Sequence, residues 1–304
     1  MNAVCPAVAA VVVSYFPDEA VGSRLAAIAR ECALVIVVDN GSDAECRARL
    51  VGERVELIEL GENNGLAAAL NVGLERALEL GFAWAVTFDQ DSTPRSGMVA
   101  ALWRSREAQP KSERVAVVGP RLSEEKVVHE DHRWVVPHPR CRWGFARVPC
   151  GPSDLVGVAF VITSGALTNL AAYREIGPMD EALFIDYIDH DYCLRARRAG
   201  YEIVVSAEAK LIHNFGAQRV YHVAGRVVRP TFHSALRLRY IARNRWWLWR
   251  RHAWAVPHWA SFDAVSCLHV FARVLVFEDR RWEKFCAMAR GTWDGLLGRT
   301  GKIL

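Results

Sequence analysis

Short apolar runs, rich in β-branched residues and closed by polar ones, recur through the first 120 residues, at 8–14, 34–38, 55–60, 82–88 and 115–118. They are apolar throughout rather than alternating, the pattern of parallel strands covered on both faces. Between them, residues 19–30, 43–50, 66–79 and 97–107 carry apolar positions at helical spacing. Strand alternates with helix, which predicts a doubly wound α/β sheet.

The pattern loosens over 121–154, a stretch with His129, His132, His138, Trp134, Trp143 and several prolines. It reads as an irregular surface insertion, with a flap over a substrate as the sharper alternative. An apolar run at 155–163 leads into Ser164-Gly165. A helix at 169–176 is broken by Gly177-Pro178, a second at 188–199 stops at Gly200, and short strands follow at 201–206 and 210–213. After Gly216 the character changes: 231–252 interleaves arginine with leucine, tyrosine and tryptophan, 253–277 is apolar but interrupted by Pro257, Asp263 and Arg273, and 280–304 is amphipathic. With no clean run of about twenty apolar residues, no transmembrane helix is expected. The apolar amino terminus lacks a basic flank and is expected to be a first strand, not an export signal.

Charge sharpens this division. The formal net charge is +4, yet from residue 218 onward sixteen Lys or Arg face five Asp or Glu, while the earlier part is net acidic. The basic, tryptophan-rich tail suits a helical cap and, better, a face lying on anionic lipid. Arginine interleaved with tryptophan also suits nucleic acid, but no nucleic-acid module accompanies it and no such partner is expected. The eight cysteines (Cys5, Cys32, Cys46, Cys141, Cys150, Cys193, Cys267, Cys286) have no zinc spacing and read as reduced thiols of a cytosolic protein.

In open sheets of this type, ligands bind beyond the carboxyl ends of the strands. Polar clusters at 15–18, 39–42 and 89–91 each follow a predicted strand end, so three of them converge on one rim. Asp89 and Asp91, one residue apart at a strand exit, can hold a divalent cation against a diphosphate, whose oxygens complete the coordination. The same residues also suit a solvated turn capping the next helix.

The motifs Val38-Asp39-Asn40-Gly41-Ser42, Glu62-Asn63-Asn64-Gly65-Leu66, Asp89-Gln90-Asp91-Ser92, Ser164-Gly165, Phe184-Ile185-Asp186-Tyr187-Ile188-Asp189-His190-Asp191 and His213-Asn214-Phe215-Gly216 follow one another in that order. In this combination, over residues 8–216, the chain resembles family-two glycosyltransferases. The resemblance implies an α/β GT-A fold, with a mostly parallel central sheet and a C-terminal helical extension. It implies a catalytic domain at 1–216, with a nucleotide-sugar half at 1–120 and an acceptor half at 121–216. A basic, Trp-rich helical extension at 217–304 would contact the acceptor or a membrane surface. Within the family, Asp89-Gln90-Asp91-Ser92, Phe184-Ile185-Asp186-Tyr187 and the tail at 290–299 are most similar to bacterial rhamnosyltransferases. Those take dTDP-L-rhamnose, and for this chain the resemblance implies a glycan or lipid-linked acceptor and a peripheral place at the cytoplasmic face of the cell membrane.

The resemblance also distributes roles. Tyr15, Asp39, Asn64, Gly65, Asp89, Gln90 and Asp91 would meet the nucleotide sugar. Asp39 would accept the N3 hydrogen of thymine or uracil, a donor cytosine lacks. Asn64 and Gly65 would bring backbone N–H groups to the nucleotide or diphosphate at a helix amino terminus. Asp91, with Asp89 and His213, would hold Mg2+ or Mn2+. Asp189 would be the base, although Ile188 stands where glutamate is common. Asp186, Asp191, Ser164 and Gly165 would support it or the acceptor. Asp191, four residues before Arg195, also suits a helix ion pair. Two other classes remain open: a sugar-phosphate nucleotidyltransferase, which would need a Gly-rich basic loop after the first strand, and a non-catalytic glycan or lipid-surface binder.

Overall fold

In a computed structural model, the residues described are 7–123, 132–212, 221–223, 226–228 and 232–303. They form β1 (Ala9–Ser14), α1 (Val21–Glu31), β2 (Leu34–Asp39), α2 (Ala44–Arg47), β3 (Val55–Glu59), α3 (Leu66–Glu79), β4 (Trp84–Asp89), β5 (Thr93–Pro94), α4 (Met98–Glu107), β6 (Val115–Ser123), β7 (Arg133–His138) and β8 (Cys141–Pro149). Then come β9 (Leu155–Val156), β10 (Ala166–Asn169), α5 (Leu170–Ile176), α6 (Ile188–Arg198), β11 (Glu202–Ile212), β12 (Tyr221–Val223), β13 (Arg226–Val228), α7 (Ala235–His252), α8 (Pro257–Phe277) and α9 (Arg281–Leu296). The chain divides into two compact units, Met1–Val136 with Ala146–His213, and Pro137–Phe145 with Asn214–Leu304.

The first unit is built on a sheet of order β3-β2-β1-β4-β10-β6-β11-β5. β1 is buried along its whole length, and it pairs in parallel with β2 on one side and β4 on the other. β2 in turn pairs in parallel with β3. Their valine-rich sequences explain this, since strands covered on both faces have no polar side to present. α3 closes one face with the small buried residues Ala67, Ala69, Gly73 and Ala77, which let it lie close to the sheet. The winding runs β1 to β3 in one direction and turns to β4 in the other, so the switch point falls between β1 and β4.

Several sequence expectations are corrected. β10 enters the sheet antiparallel to both β4 and β6, as part of a stretch the apolar pattern did not mark as a strand. The two strands expected at 201–206 and 210–213 are one strand, β11, with an irregularity between Val205 and Lys210 that breaks its apolar pattern. The apolar run at 155–163 yields only the two-residue β9, although Val158, Ala159 and Val161 are buried. Within the supposed irregular insertion, β7 and β8 form a two-stranded sheet.

The second unit shows how the helices of the tail are held together. In α7, the basic aromatic helix expected to lie on lipid, Arg243 and Arg245 are buried, whereas Arg237, Arg250 and Arg251 are exposed. Arg245 and the Trp249 indole N–H both reach Asp263, at 2.8 and 2.7 Å, and Arg239 pairs with Asp294 at 2.8 Å. Low-dielectric positions tolerate such charges only when they are paired. α8, for its part, is long and apolar enough to cross a membrane by length and composition. Its interrupting residues Asp263 and Arg273 are buried and ion-paired, which hides them from the solvent-facing side.

Candidate active site

The strand pairing brings the three predicted polar clusters to one level. Ser14 at the end of β1 is in register with Asp39 of β2, and Val13 with Asp89 of β4. Neighbouring strands lie about 4.8 Å apart, so Asp39 and Asp89 flank the exit of β1 on either side.

Beyond β4 the chain turns at once. The Ser92 N–H donates to the Asp89 carbonyl at 3.1 Å, placing Asp89 first and Asp91 third in one hydrogen-bonded turn. Between them, Gln90 grips the end of β1: its Oε1 accepts from the Tyr15 N–H at 2.8 Å and the Ser14 hydroxyl at 3.2 Å, and its Nε2 donates to the Tyr15 carbonyl at 3.1 Å. Arg24, held by Asp18, donates to the Gln90 carbonyl at 3.0 Å. The Gln90 side chain is thus a brace between strand ends, which leaves the two aspartates as the carboxylates of the turn. Tyr15 is half exposed at this rim, edge-on to Phe16.

Ser164 supports the turn from beneath. Its hydroxyl lies 2.7 Å from that of Ser92, both fully buried, and accepts from the Asp89 N–H at 3.2 Å. The Gly165 N–H donates to the Thr87 carbonyl at 2.6 Å. Both residues act through the backbone of β4 and so hold Asp89 and Asp91 in place.

Asp39 is 1% exposed and takes two bonds from Ser42, from its N–H at 2.9 Å and its hydroxyl at 2.5 Å, an Asx turn. A carboxylate has about four acceptor sites, so this turn leaves about two for further donors. The neighbouring Asn40, not singled out among the candidate site residues, ties the exit of β2 to the loop before α3. Its Oδ1 accepts from the Asn64 N–H at 2.9 Å and its Nδ2 donates to the Gly65 carbonyl at 3.2 Å. The Gly65 N–H donates to Asn63 Oδ1 at 3.0 Å, and the Leu66 N–H to the Phe184 carbonyl at 2.7 Å. The amides expected to face a diphosphate at Asn64 and Gly65 are therefore engaged within the protein. Gly65 has another reason to be glycine: φ is +91°, and a Cβ there would stand 2.7 Å from the Phe184 carbonyl oxygen.

Phe184 begins the loop that carries the acceptor-side carboxylates. Phe184, Asp186 and Tyr187 all adopt positive φ (63°, 63° and 67°), uncommon for side chains of this size and a form of strain that collects at functional sites. Asn71 holds the approach to this loop. Buried on α3, it donates to the Met179 carbonyl at 3.0 Å and to Glu181 at 2.8 Å, and accepts from the Met179 N–H at 2.8 Å and the Tyr173 hydroxyl at 3.0 Å. Asp180 caps the short helical turn Glu181–Leu183. A polar residue amid the apolar residues of α3 was the sequence signal for Asn71.

Asp189 follows on the first turn of α6, its Oδ1 accepting from the His190 N–H at 2.8 Å. It lines a small crevice with Thr87, Ile162, Thr163, Met179 and Cys193, which joins it to the strand that ends in Asp89. Burial pushes the Cys193 thiol up to about 12, and the thiol donates to the Val161 carbonyl, so it stays a neutral lining group. His190 stacks on Phe160 at 3.6 Å beside this site. Asp191 is separate: fully buried, it pairs with Arg195 at 2.7 Å, and that guanidinium also donates to the carbonyls of Ile176, Gly177 and Pro178. It is a structural ion pair. Among the described residues no group of three or more His, Cys, Asp or Glu is gathered as for a metal. His213 and the three residues after it lie outside the described residues.

The family profile for glycosyl transferase family 2 matches residues 25–177. Over 302 residues, 96% of each chain, the sequence is 28% identical to dTDP-rhamnosyl transferase RfbF of Shigella flexneri. It is 31% identical over 203 residues to an uncharacterized protein of Mycobacterium tuberculosis, covering 63% of this chain and 67% of that one. In structure it is similar to GalNAc-T7 crystallised with UDP, GalNAc and Mn2+, with a TM-score of 0.52 at 14% identity, over 72% of this chain and 45% of that one. This last likeness places the chain in the GT-A fold.

Proposed function

This chain belongs to glycosyl transferase family 2 and is a glycosyltransferase, and from that premise we propose that it transfers L-rhamnose from dTDP-L-rhamnose to a hydroxyl of a cell-surface glycan or lipid-linked acceptor, with inversion, at the cytoplasmic face of the membrane. The observation that carries the sugar is the similarity to the dTDP-rhamnosyl transferase along nearly the full length of both chains.

The geometry supports the division of labour. Asp39, buried at the exit of β2 with acceptor capacity beyond its Asx turn, takes the N3 hydrogen of the thymine, and exposed Tyr15 lies beside the nucleotide. Mg2+ or Mn2+ suits the hard oxygen donors of Asp89 and Asp91 in one turn, because magnesium is bound through one or two carboxylates with substrate phosphates supplying further oxygens. His213 is proposed as a further ligand. Bound there, the cation supplies charge neutralisation for the departing diphosphate. Asp189 takes the proton from the acceptor hydroxyl as it attacks the anomeric carbon, and the bond to the diphosphate breaks on the opposite face. The strained 184–187 loop and Asp186 orient the acceptor, while Ser164, Gly165 and Gln90 fix the turn that bears the carboxylates. Residues 1–216 form the catalytic domain in this reading.

The test is a donor-hydrolysis screen in magnesium with dTDP-rhamnose and a panel of UDP-sugars. Release of rhamnose from dTDP-rhamnose ahead of every other donor is expected. Turnover of a UDP-sugar alone would assign a different donor to the same site.

A further inference from the structure

We infer that the second unit rests on the surface of an anionic bilayer through one face made by α8 and α9, which deepens the membrane-side reading above and names its surface. α8 divides along its length. Asp263, Arg273 and Val274 are buried on one side, whereas Val265, Leu268, Phe271, Leu275 and Val276 are exposed at helical spacing on the other, Leu268 to 71%. Only His269 interrupts this exposed stripe with a polar group.

α9 repeats the division. Its Gly291 and Gly295 pack against the backbone of α7, where a Cβ at Gly295 would stand 2.6 Å from the Arg243 carbonyl oxygen. With that side committed, Trp282, Trp293 and Leu296 point outward on the opposite stripe, the two tryptophans 80% and 61% exposed. Soluble surfaces rarely leave so many large apolar side chains in contiguous helical stripes without a partner.

Charge chooses the partner. Across 257–303 the acids Asp263, Glu278 and Asp294 are buried in ion pairs, leaving Asp279 and Glu283 exposed, whereas Arg280, Arg281, Arg290, Arg299 and Lys302 are all exposed. Arg281 is fixed at the end of the apolar stripe, donating to the carbonyls of Val276 and Glu278. Tryptophan and aliphatic side chains flanked by arginine suit the headgroup boundary of anionic lipid. A second copy fits less well, because a two-fold interface sets the same arginines against themselves. α8 lies on the bilayer rather than across it, since Asp263 and Arg273 hold its other side to α7 and to Glu278.

The experiment is flotation of the full chain, without nucleotide sugar, on vesicles of phosphatidylcholine mixed with phosphatidylglycerol and on phosphatidylcholine alone, at low and high salt. Binding to the mixed vesicles, weakened by salt and reduced roughly tenfold or more by either Leu268→Glu or Trp282→Glu, is expected. Both variants should keep donor hydrolysis in solution, which shows them folded. Absence of wild-type binding at low salt, flotation of both variants like the wild type, or a wild-type dimer in light scattering that Leu268→Glu splits would each overturn the inference. Lipid binding in a protein that hydrolyses no donor would leave the inference standing and remove the proposed function.

Discussion

Asp189 and Asp191 sit two residues apart in the first turn of α6, a spacing that points side chains to different faces of a helix. Asp189 looks into the crevice beneath β4, and Asp191 is sealed against Arg195. Substitution should separate them. Asp189→Asn is expected to keep dTDP affinity and melting temperature while lowering turnover by about two orders of magnitude or more, the scale of a lost general base. Near-wild-type turnover would remove it from that role. Asp191→Ala strands a guanidinium among three carbonyls and should cost about 3–5 kcal/mol of stability, the usual result of halving a buried pair; an unchanged denaturation midpoint would contradict the pairing. Asp91 belongs to the metal question. Asp91→Ala should abolish the magnesium dependence of dTDP binding in calorimetry, and equal magnesium dependence in variant and wild type would move the cation elsewhere.

At the scale of elements, the site depends on how α3 carries the loops on either side of it. The loop before α3 is tied to the exit of β2 by Asn40, the Leu66 amide is bonded to Phe184, and Asn71 anchors the turn at 179–181. Donor-side and acceptor-side loops therefore share one helix. Asn71→Ala leaves the Met179 N–H and carbonyl without their partners, at a cost of about 1–3 kcal/mol. It should also lower kcat more than it raises KM for the donor, because the slack falls on the segment leading to Asp189. A stability loss with kcat intact would make Asn71 a packing residue only. The alternating strands and helices of residues 8–118 were legible because strands covered on both faces write themselves as continuous apolar runs. β10 was not legible: four residues joined directly to α5 carry too little periodicity to stand out. The rim carboxylates were legible from their position after strand ends. The work of Gln90, Asn40 and Asn71 was not, since their partners lie 24–110 residues away and leave no local pattern. The ion pairs of α7 were hidden for the same reason, Arg245 meeting Asp263 and Arg239 meeting Asp294 across 18 and 55 residues.

For the molecule as a whole, the division into two units gives stability two parts, each with a half-buried histidine held neutral by its surroundings. Burial, with Arg147 nearby, lowers His132 of the first unit to about 4, and burial with Arg237, Arg273 and Lys284 lowers His233 of the second to about 4. Both are neutral when folded, whereas the unfolded chain protonates them near the ordinary value of about 6.5. As pH falls from 6.5 toward 4, the unfolded state binds protons that the folded state refuses, and stability declines by at most about 1.4 kcal/mol per pH unit for each histidine. Asp294 does not confuse this window: burial works against its charge, but hydrogen bonds from Arg239 and Arg299 hold it below its ordinary value, so its contribution fades only at lower pH. Calorimetry at pH 7 and pH 5 should therefore record lower melting at pH 5. His132→Gln is expected to flatten the loss for the unit that carries β1 to β6, and His233→Gln for the helical one. Should melting fall equally in wild type and both variants, the acid sensitivity lies in other groups, and neither histidine is held neutral by its surroundings.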